Sequence, residues 1–358
     1  MMENIRVEDC VSSAEFRDLK DIALYRGIPW DNLKGKRIFI TGAAGFIAGY
    51  LSKALLLRND MFGDGITVSG LVRDENKAAG RFGRLLDRDD LKLITGDVCE
   101  AFQVEADYII HAASQASAMH FEKDPVGTIR ANLIGTDNVL RAAQKTGAEV
   151  LLVSSLKVYG RVTDGTQTLK EKHIGMLDID ASANCYAMGK RTLETLGVCY
   201  AKQYGVKVRM VRPGYIYGAA PKGDDRVWAQ FLNNVVDHKD ILLKSDGLVY
   251  RSFCYVTDAV TAMLVVLLKG EEVTPYNIAG ENGRATIRDF AMCAADSFPE
   301  RKLKLVFEKR EDAERIYIPS KDVTPEILDS ARIESLGWKS QIDVFEGIRR
   351  SVETMESL

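Results

Sequence analysis

A short apolar strand, Arg37–Ile40, runs straight into Thr41-Gly42-Ala43-Ala44-Gly45-Phe46-Ile47-Ala48 and then into a helix. This order constrains the fold more than any other feature. Glycines at 42 and 45 permit a tight turn and bring backbone N–H groups toward the helix N-terminus, where an anion is favoured. The spacing Gly42-x-x-Gly45-x-x-Ala48 departs from the common G-x-G-x-x-G pattern, but strand, turn and helix stand in the required sequence. The alternation continues downstream. Strands are expected at Thr67–Val72, Leu91–Thr95, Tyr108–His111, Val150–Ser154 and Val208–Val211, with helices at 46–57, 125–146 and 184–204. Alternating strands and helices imply an α/β protein with a doubly wound parallel sheet covered on both faces.

Residues 1–34 precede the first strand. Val11 to Tyr25 has helical periodicity that Gly27-Ile28-Pro29-Trp30 interrupts, so an added helical arm is expected, with Trp30 as its anchor or as part of a dimer contact. At 358 residues the chain is long enough for one large domain or two intertwined lobes. The division expected is an arm over 1–34, a dinucleotide-binding part over 35–212, and a mainly substrate-binding part over 213–358 with segments returning to the sheet. The net charge of −3 comes without a basic run, which disfavours nucleic acid as a partner. Six cysteines form no C-x-x-C pair, and four histidines show no metal-ligand spacing. No metal site, no membrane anchor and a reducing, cytoplasmic setting are therefore expected.

Tyr186 and Lys190 stand four apart in a helical segment and so share one face. An ammonium beside a phenol favours phenolate, and an unperturbed tyrosine pKa of ~10 is too high for a good base at neutral pH. The pair is thus the candidate for moving a proton on and off a substrate hydroxyl, with a dinucleotide on the glycine turn taking the hydride. The end of the second strand reads the adenosine ribose in such folds. Here Arg73 precedes Asp74: arginine there favours a 2′-phosphate, and aspartate the free 2′-hydroxyl. NAD and NADP both remain open, with Arg73 the argument for NADP. Asp97, after the third strand, is placed to meet the adenine amine.

The chain resembles the extended short-chain dehydrogenase/reductase family of nucleotide-sugar epimerases and dehydratases. The resemblance rests on the Thr-Gly-x-x-Gly turn, His111-Ala112-Ala113-Ser114, Ser154-Ser155-x-x-Val158-Tyr159-Gly160 and Tyr186-x-x-x-Lys190. It continues through Arg212-Pro213-x-x-x-Tyr217-Gly218, Arg251-x-Phe253-x-Tyr255-Val256-x-Asp258 and Leu336-Gly337-Trp338, and spans roughly residues 35 to 350. It implies a Rossmann-like sheet with a smaller, mixed C-terminal substrate lobe, a tightly bound NAD or NADP, and a homodimer built on two helices per subunit. It also implies roles. Ser155 would bond the reacting oxygen, Tyr186 would be base and then acid, and Lys190 would tune Tyr186 and hold the nicotinamide ribose. Gly42, Gly45, Phe46, Ile47, Arg73, Asp97, Val98, Ala112, Ala113, Ser114 and Pro213 would line the cofactor. Asn132 would be structural, and Arg251 would grip the substrate diphosphate.

Three departures from the family pattern bear on the reaction. Tyr215 stands where an asparagine is usual, and Leu156-Lys157 replace the Asp-Glu pair of 4,6-dehydratases. The segment 111–143 is similar to UDP-glucuronate decarboxylases, yet those enzymes carry glutamate at the position of Lys157. Lysine there resembles some CDP-sugar 2-epimerases. Lys157 and Tyr215 join Ser155 and Arg251 as expected substrate contacts. The expected activity is nucleotide-sugar epimerisation through a transient ketone. A uronate decarboxylase, a keto-sugar reductase and a non-catalytic dinucleotide sensor are the alternatives.

Overall fold

The structure is a computed structural model that describes residues 5–115, 118–163, 165–308 and 326–357. The strands are β1 (Arg37–Thr41), β2 (Thr67–Val72), β3 (Leu91–Thr95), β4 (Tyr108–His111), β5 (Glu149–Val153) and β6 (Val208–Pro213), then β7 (Tyr215–Tyr217), β8 (Ile241–Leu243), β9 (Tyr250–Tyr255), β10 (Pro275–Ile278), β11 (Arg284–Thr286) and β12 (Leu305–Phe307). The helices are α1 (Ser13–Ala23), α2 (Phe46–Phe62), α3 (Glu75–Phe82), α4 (Ala118–Lys123), α5 (Pro125–Thr146) and α6 (Cys185–Tyr204), then α7 (Val227–Val236), α8 (Val256–Lys269), α9 (Ile287–Asp296), α10 (Ala331–Glu334) and α11 (Val344–Glu356).

Seven strands form one parallel sheet in the order β10-β6-β5-β4-β1-β2-β3. Near-continuous apolar runs such as Ile38-Phe39-Ile40 are buried because helices cover both faces. Strand order reverses between β1 and β4, and ligands of such sheets bind in the crevice outside the strand ends at that switch. A smaller mixed sheet, β11-β9-β7, and a two-stranded pair, β12-β8, are built from the C-terminal half. That half also returns β10 to the edge of the main sheet. The fold is the Rossmann-like α/β architecture expected from the sequence.

Helix α2 runs five residues past the expected end at Leu57 and stops at Gly63, whose φ of 66° closes it in the left-handed conformation. Helix α8 is buried on all sides from Val256 to Leu267, which explains why its sequence lacks a polar stripe.

The N-terminal helix α1 begins at a Ser12 cap that accepts from the Glu15 N–H. It packs on α2, α8 and α11. Its polar anchors are buried: Lys53 Nζ lies 2.7 Å from Glu15 Oε1. The Tyr255 hydroxyl donates to Asp18 Oδ2 at 2.6 Å, and Arg350 donates to Asp18 Oδ1 at 3.2 Å. Trp30 lies under the Arg58 guanidinium, 4.5 Å from its ring centroid.

Candidate active site

The glycine turn explains the cleft beside it. Gly42 has a φ of +70°, and a Cβ there would stand 2.9 Å from the Ala113 Cα. Gly45 would drive a Cβ to 2.9 Å from the Gly42 carbonyl oxygen. Without these side chains the turn after β1 closes tightly and lies against the loop after β4. Thr41 Oγ1 accepts from the Ala113 N–H at 3.2 Å and bonds His111 Nδ1 at 2.8 Å. His111 Nε2 meets Thr136 at 3.1 Å. Burial, with the Lys190 charge beside it, pushes His111 down to about 3, so it is a neutral strut at the switch point.

The cleft is lined by Gly42, Gly45, Arg73, Asp97, Val98, Ala112, Ala113 and Ser114, together with Asp74 and Lys77. Phe46 and Ile47 do not line it: the Phe46 ring packs on Trp228 and Tyr50. Pro213 lies at the buried end of β6. The Asp97 carboxylate accepts from the Cys99 N–H at 2.8 Å, which fixes the loop after β3. Asp74 caps α3 by accepting from the Lys77 N–H at 2.9 Å. Burial, then the charges of Arg81, Arg226 and Arg73, hold Lys77 below the ordinary lysine range against the raising effect of Asp74. Lys77 was not expected from the sequence, although its spacing four residues after Arg73 was a usable signal.

Beside the cleft, α6 and the loop after β5 carry the candidate chemistry. Burial raises the Tyr186 phenol, while the facing Ser155 hydroxyl and the Lys157 charge act the other way. Lys190 is buried, and its ammonium donates to the Val153 carbonyl at 2.7 Å. It lies 5.6 Å from the centre of the Tyr186 ring. Burial pushes Lys190 down to about 7, against the raising effect of Glu194. The Phe121 ring stacks on Tyr186 at 4.6 Å. Asn132, fully buried, donates to the Thr128 carbonyl at 2.8 Å and to Ser114 Oγ at 3.1 Å, and Gly189 of α6 leaves room for it. Arg212 is tied up elsewhere: it grips Glu194 at 2.9 and 2.7 Å, and Glu194 accepts from Ser154.

Lys157, Tyr215 and Arg251 come together, and what joins them is Glu326, which no motif marked. Lys157 Nζ is 2.6 Å from Glu326 Oε1 and Arg251 Nε is 3.2 Å from Oε2. The Tyr215 hydroxyl donates to the same carboxylate. Burial pushes Glu326 up, but the Lys157 and Arg251 charges outweigh it and hold the carboxyl below its ordinary range. No group of metal-ligating side chains occurs among the described residues, and none of their helices is long and apolar enough to cross a membrane.

The sequence model of the NAD dependent epimerase/dehydratase family matches residues 38–279. UDP-glucuronic acid decarboxylase 1 of Arabidopsis thaliana is 33% identical over 323 residues, covering 89% of this chain and 69% of that protein. Among solved structures, an epimerase of Methanothermobacter thermautotrophicus superposes with a TM-score of 0.75 at 18% identity, covering 95% of each chain. UDP-glucuronic acid 4-epimerase of Bacillus cereus, in complex with UDP-glucuronic acid and NAD, gives 0.72 at 19% identity over 90% of this chain and 99% of that one. The glycine cradle fits the pyrophosphate of a nicotinamide dinucleotide. The chain belongs to the NAD-dependent epimerase/dehydratase family.

Proposed function

We propose that the protein is a nucleotide-sugar epimerase that oxidises a sugar hydroxyl to a ketone and reduces it again from the other face. The observation that carries this reading is Ser155 facing Tyr186 beside Lys190, on a helix packed against Asn132, which bonds Ser114 of the cleft shaped for a dinucleotide. Tyr186 takes the proton of the reacting hydroxyl at its phenolic oxygen and later returns it, while Ser155 orients that oxygen. Lys190 supplies positive charge under the phenol and holds the cofactor ribose. The bound cofactor supplies the hydride acceptor and donor.

Position 157 favours epimerisation over elimination or decarboxylation, because it presents an ammonium where the related lyases present a carboxylate. A uronate decarboxylase remains the second reading, on the strength of the Arabidopsis relatives. The arrangement of cations beside Arg73 supports NADP over NAD. The reading includes a homodimer built on α5 and α6, where Val126, Ile129 and Leu133 form a stripe with exposures of 65%, 37% and 42%. It includes a cytoplasmic setting, in keeping with six free thiols.

Proton NMR of UDP-glucuronate incubated with the protein and cofactor tests the reaction. An epimer with its carboxylate intact is expected; a pentose product would establish the lyase, and stoichiometric cofactor consumption a reductase. Tyr186→Phe should lower turnover by ~10²–10⁴-fold while cofactor binding stays. Wild-type turnover in that variant would remove Tyr186 from the chemistry.

A further inference from the structure

Successive turns of α6 face consecutive residues at and just past the end of β5. Tyr186, Lys190 and Glu194 stand four apart, so they share one side of the helix. Tyr186 faces Ser155, and the Lys190 ammonium donates to the Val153 carbonyl at 2.7 Å. The third contact falls between these two: Ser154 Oγ donates to Glu194 Oε1 at 2.5 Å. Tyr186, Lys190 and Ser155 belong to the chemistry described above, and Glu194 takes no part in it.

Glu194 is held in place by its other partner. The Arg212 guanidinium donates to both of its oxygens, at 2.9 and 2.7 Å. Arg212 is fixed in turn by the Glu171 carbonyl, to which it donates at 2.8 Å, and by the Tyr159 ring 4.9 Å away. It rises from β6, the strand paired with β5, so the clamp ties α6 to two neighbouring strands at once. The pair is largely buried, with side-chain exposures of 11% for Arg212 and 13% for Glu194. Register matters here, because a one-residue slip would turn Tyr186 about 100° away from Ser155.

We propose that Glu194 is a positioning residue for the reaction: clamped by Arg212, it draws Ser154 toward α6 and sets the register that holds Tyr186 and Lys190 opposite Ser155. This rests on the epimerase reading above. An electrostatic corollary follows. Lys190 favours the phenolate of Tyr186 only while it is an ammonium. Burial works against that charge and pushes Lys190 down to about 7, while the Glu194 carboxylate, one turn further along, works for it. Turnover that needs the ammonium is lost as pH rises through the Lys190 titration. Removing the Glu194 charge therefore moves that loss to lower pH. A neighbouring opposite charge shifts a titration by about 1–3 pH units, and with Arg212 sharing the carboxylate the lower end applies.

The full chain, carrying 13C-labelled lysine and loaded with cofactor, tests both parts. NMR follows Lys190 through a pH titration, with Lys190→Met to assign its signal, and turnover of UDP-glucuronate gives the pH profile beside it. Glu194→Gln removes the charge but keeps the shape and an acceptor for Ser154. It should lower the Lys190 titration and the alkaline edge of kcat together, by about one pH unit, with KM little changed. Ser154→Ala keeps the charge and cuts the tie. It should lower kcat several-fold and leave the alkaline edge where it is. Glu194→Gln leaves Arg212 buried without its full partner, so a double variant, Glu194→Met with Arg212→Met, guards against poor folding. Lys190 should titrate lower in that protein too. An unshifted Lys190 in the charge-removing variants, or full kcat in Ser154→Ala, would overturn the proposal. The NMR reading does not depend on turnover. If the wild type leaves UDP-glucuronate unchanged, the epimerase reading fails by itself, and the Lys190 signal still decides whether Glu194 acts on it.

Discussion

Replacing Arg73 with alanine should weaken NADP binding about tenfold and leave NAD nearly unchanged. Arg73 and Lys77 line the β2 end of the cleft. Asp74 and Asp97 line it too, but their carboxylates accept from the Lys77 and Cys99 N–H groups. Two cations thus face the cleft to meet the ~−2 charge of a phosphate monoester near neutral pH. A charge-assisted hydrogen bond contributes ~1.5–3 kcal/mol. Arg73 is exposed, so the lower end applies, and ~1.5 kcal/mol is about tenfold in affinity. Lys77→Ala should cost a similar factor. The double variant should lose up to about a hundredfold, and less if both cations meet the same phosphate oxygen. The NADP preference should also shrink as salt is added. Calorimetry with both cofactors against wild type, the two single variants and the double variant measures each step. Equal NADP affinity in wild type and Arg73→Ala, or a parallel fall for NAD, would refute the reasoning.

Other perturbations test other parts of the structure. Gly42→Ala should destabilise the protein by about 2–4 kcal/mol and abolish cofactor binding, because it adds a left-handed backbone penalty to a collision with the Ala113 backbone; urea unfolding and a cofactor titration check both. Leu133→Glu should turn a dimer into a monomer at micromolar concentration by placing charge in the α5 stripe, as read by light scattering. Burial outweighs the Tyr255 bond and the Arg350 charge and holds Asp18 up at about 6. A carboxyl raised in the folded state contributes stability below its unfolded value of ~4 and loses it as pH rises through the folded value. Melting temperature should therefore fall between about pH 4 and 6 through this group, and Asp18→Asn should remove that part of the slope.

What was legible in the sequence was local. The strand, glycine turn and helix at 37–48 announce themselves because steric demands at Gly42 and Gly45 fall on neighbours in the chain. Tyr186 and Lys190 were legible because helical spacing puts them on one face. The surroundings of these groups were not. The role of Lys157 depends on Glu326, 169 positions away, and no periodicity links the two. Lys190 was legible as the partner of Tyr186; that the Val153 carbonyl accepts from its ammonium, and that burial is the largest influence on both groups, was not. Asp74 was a candidate ribose ligand from its place after β2. The start of α3 at the next residue gives its carboxylate a helix to cap, through the Lys77 N–H three residues on.

The buried bonds of α1 set a timetable for synthesis. Asp18 is made early, but Tyr255 follows 237 residues later and Arg350 follows 332 residues later. At roughly 5–20 residues per second, the last of these partners emerges on the order of tens of seconds after the first helix. Glu15 meets Lys53 after only 38 residues, so that pair forms while the ribosome is still working on the sheet. The Asp18 bond to Arg350 therefore cannot form until residue 350 has been made.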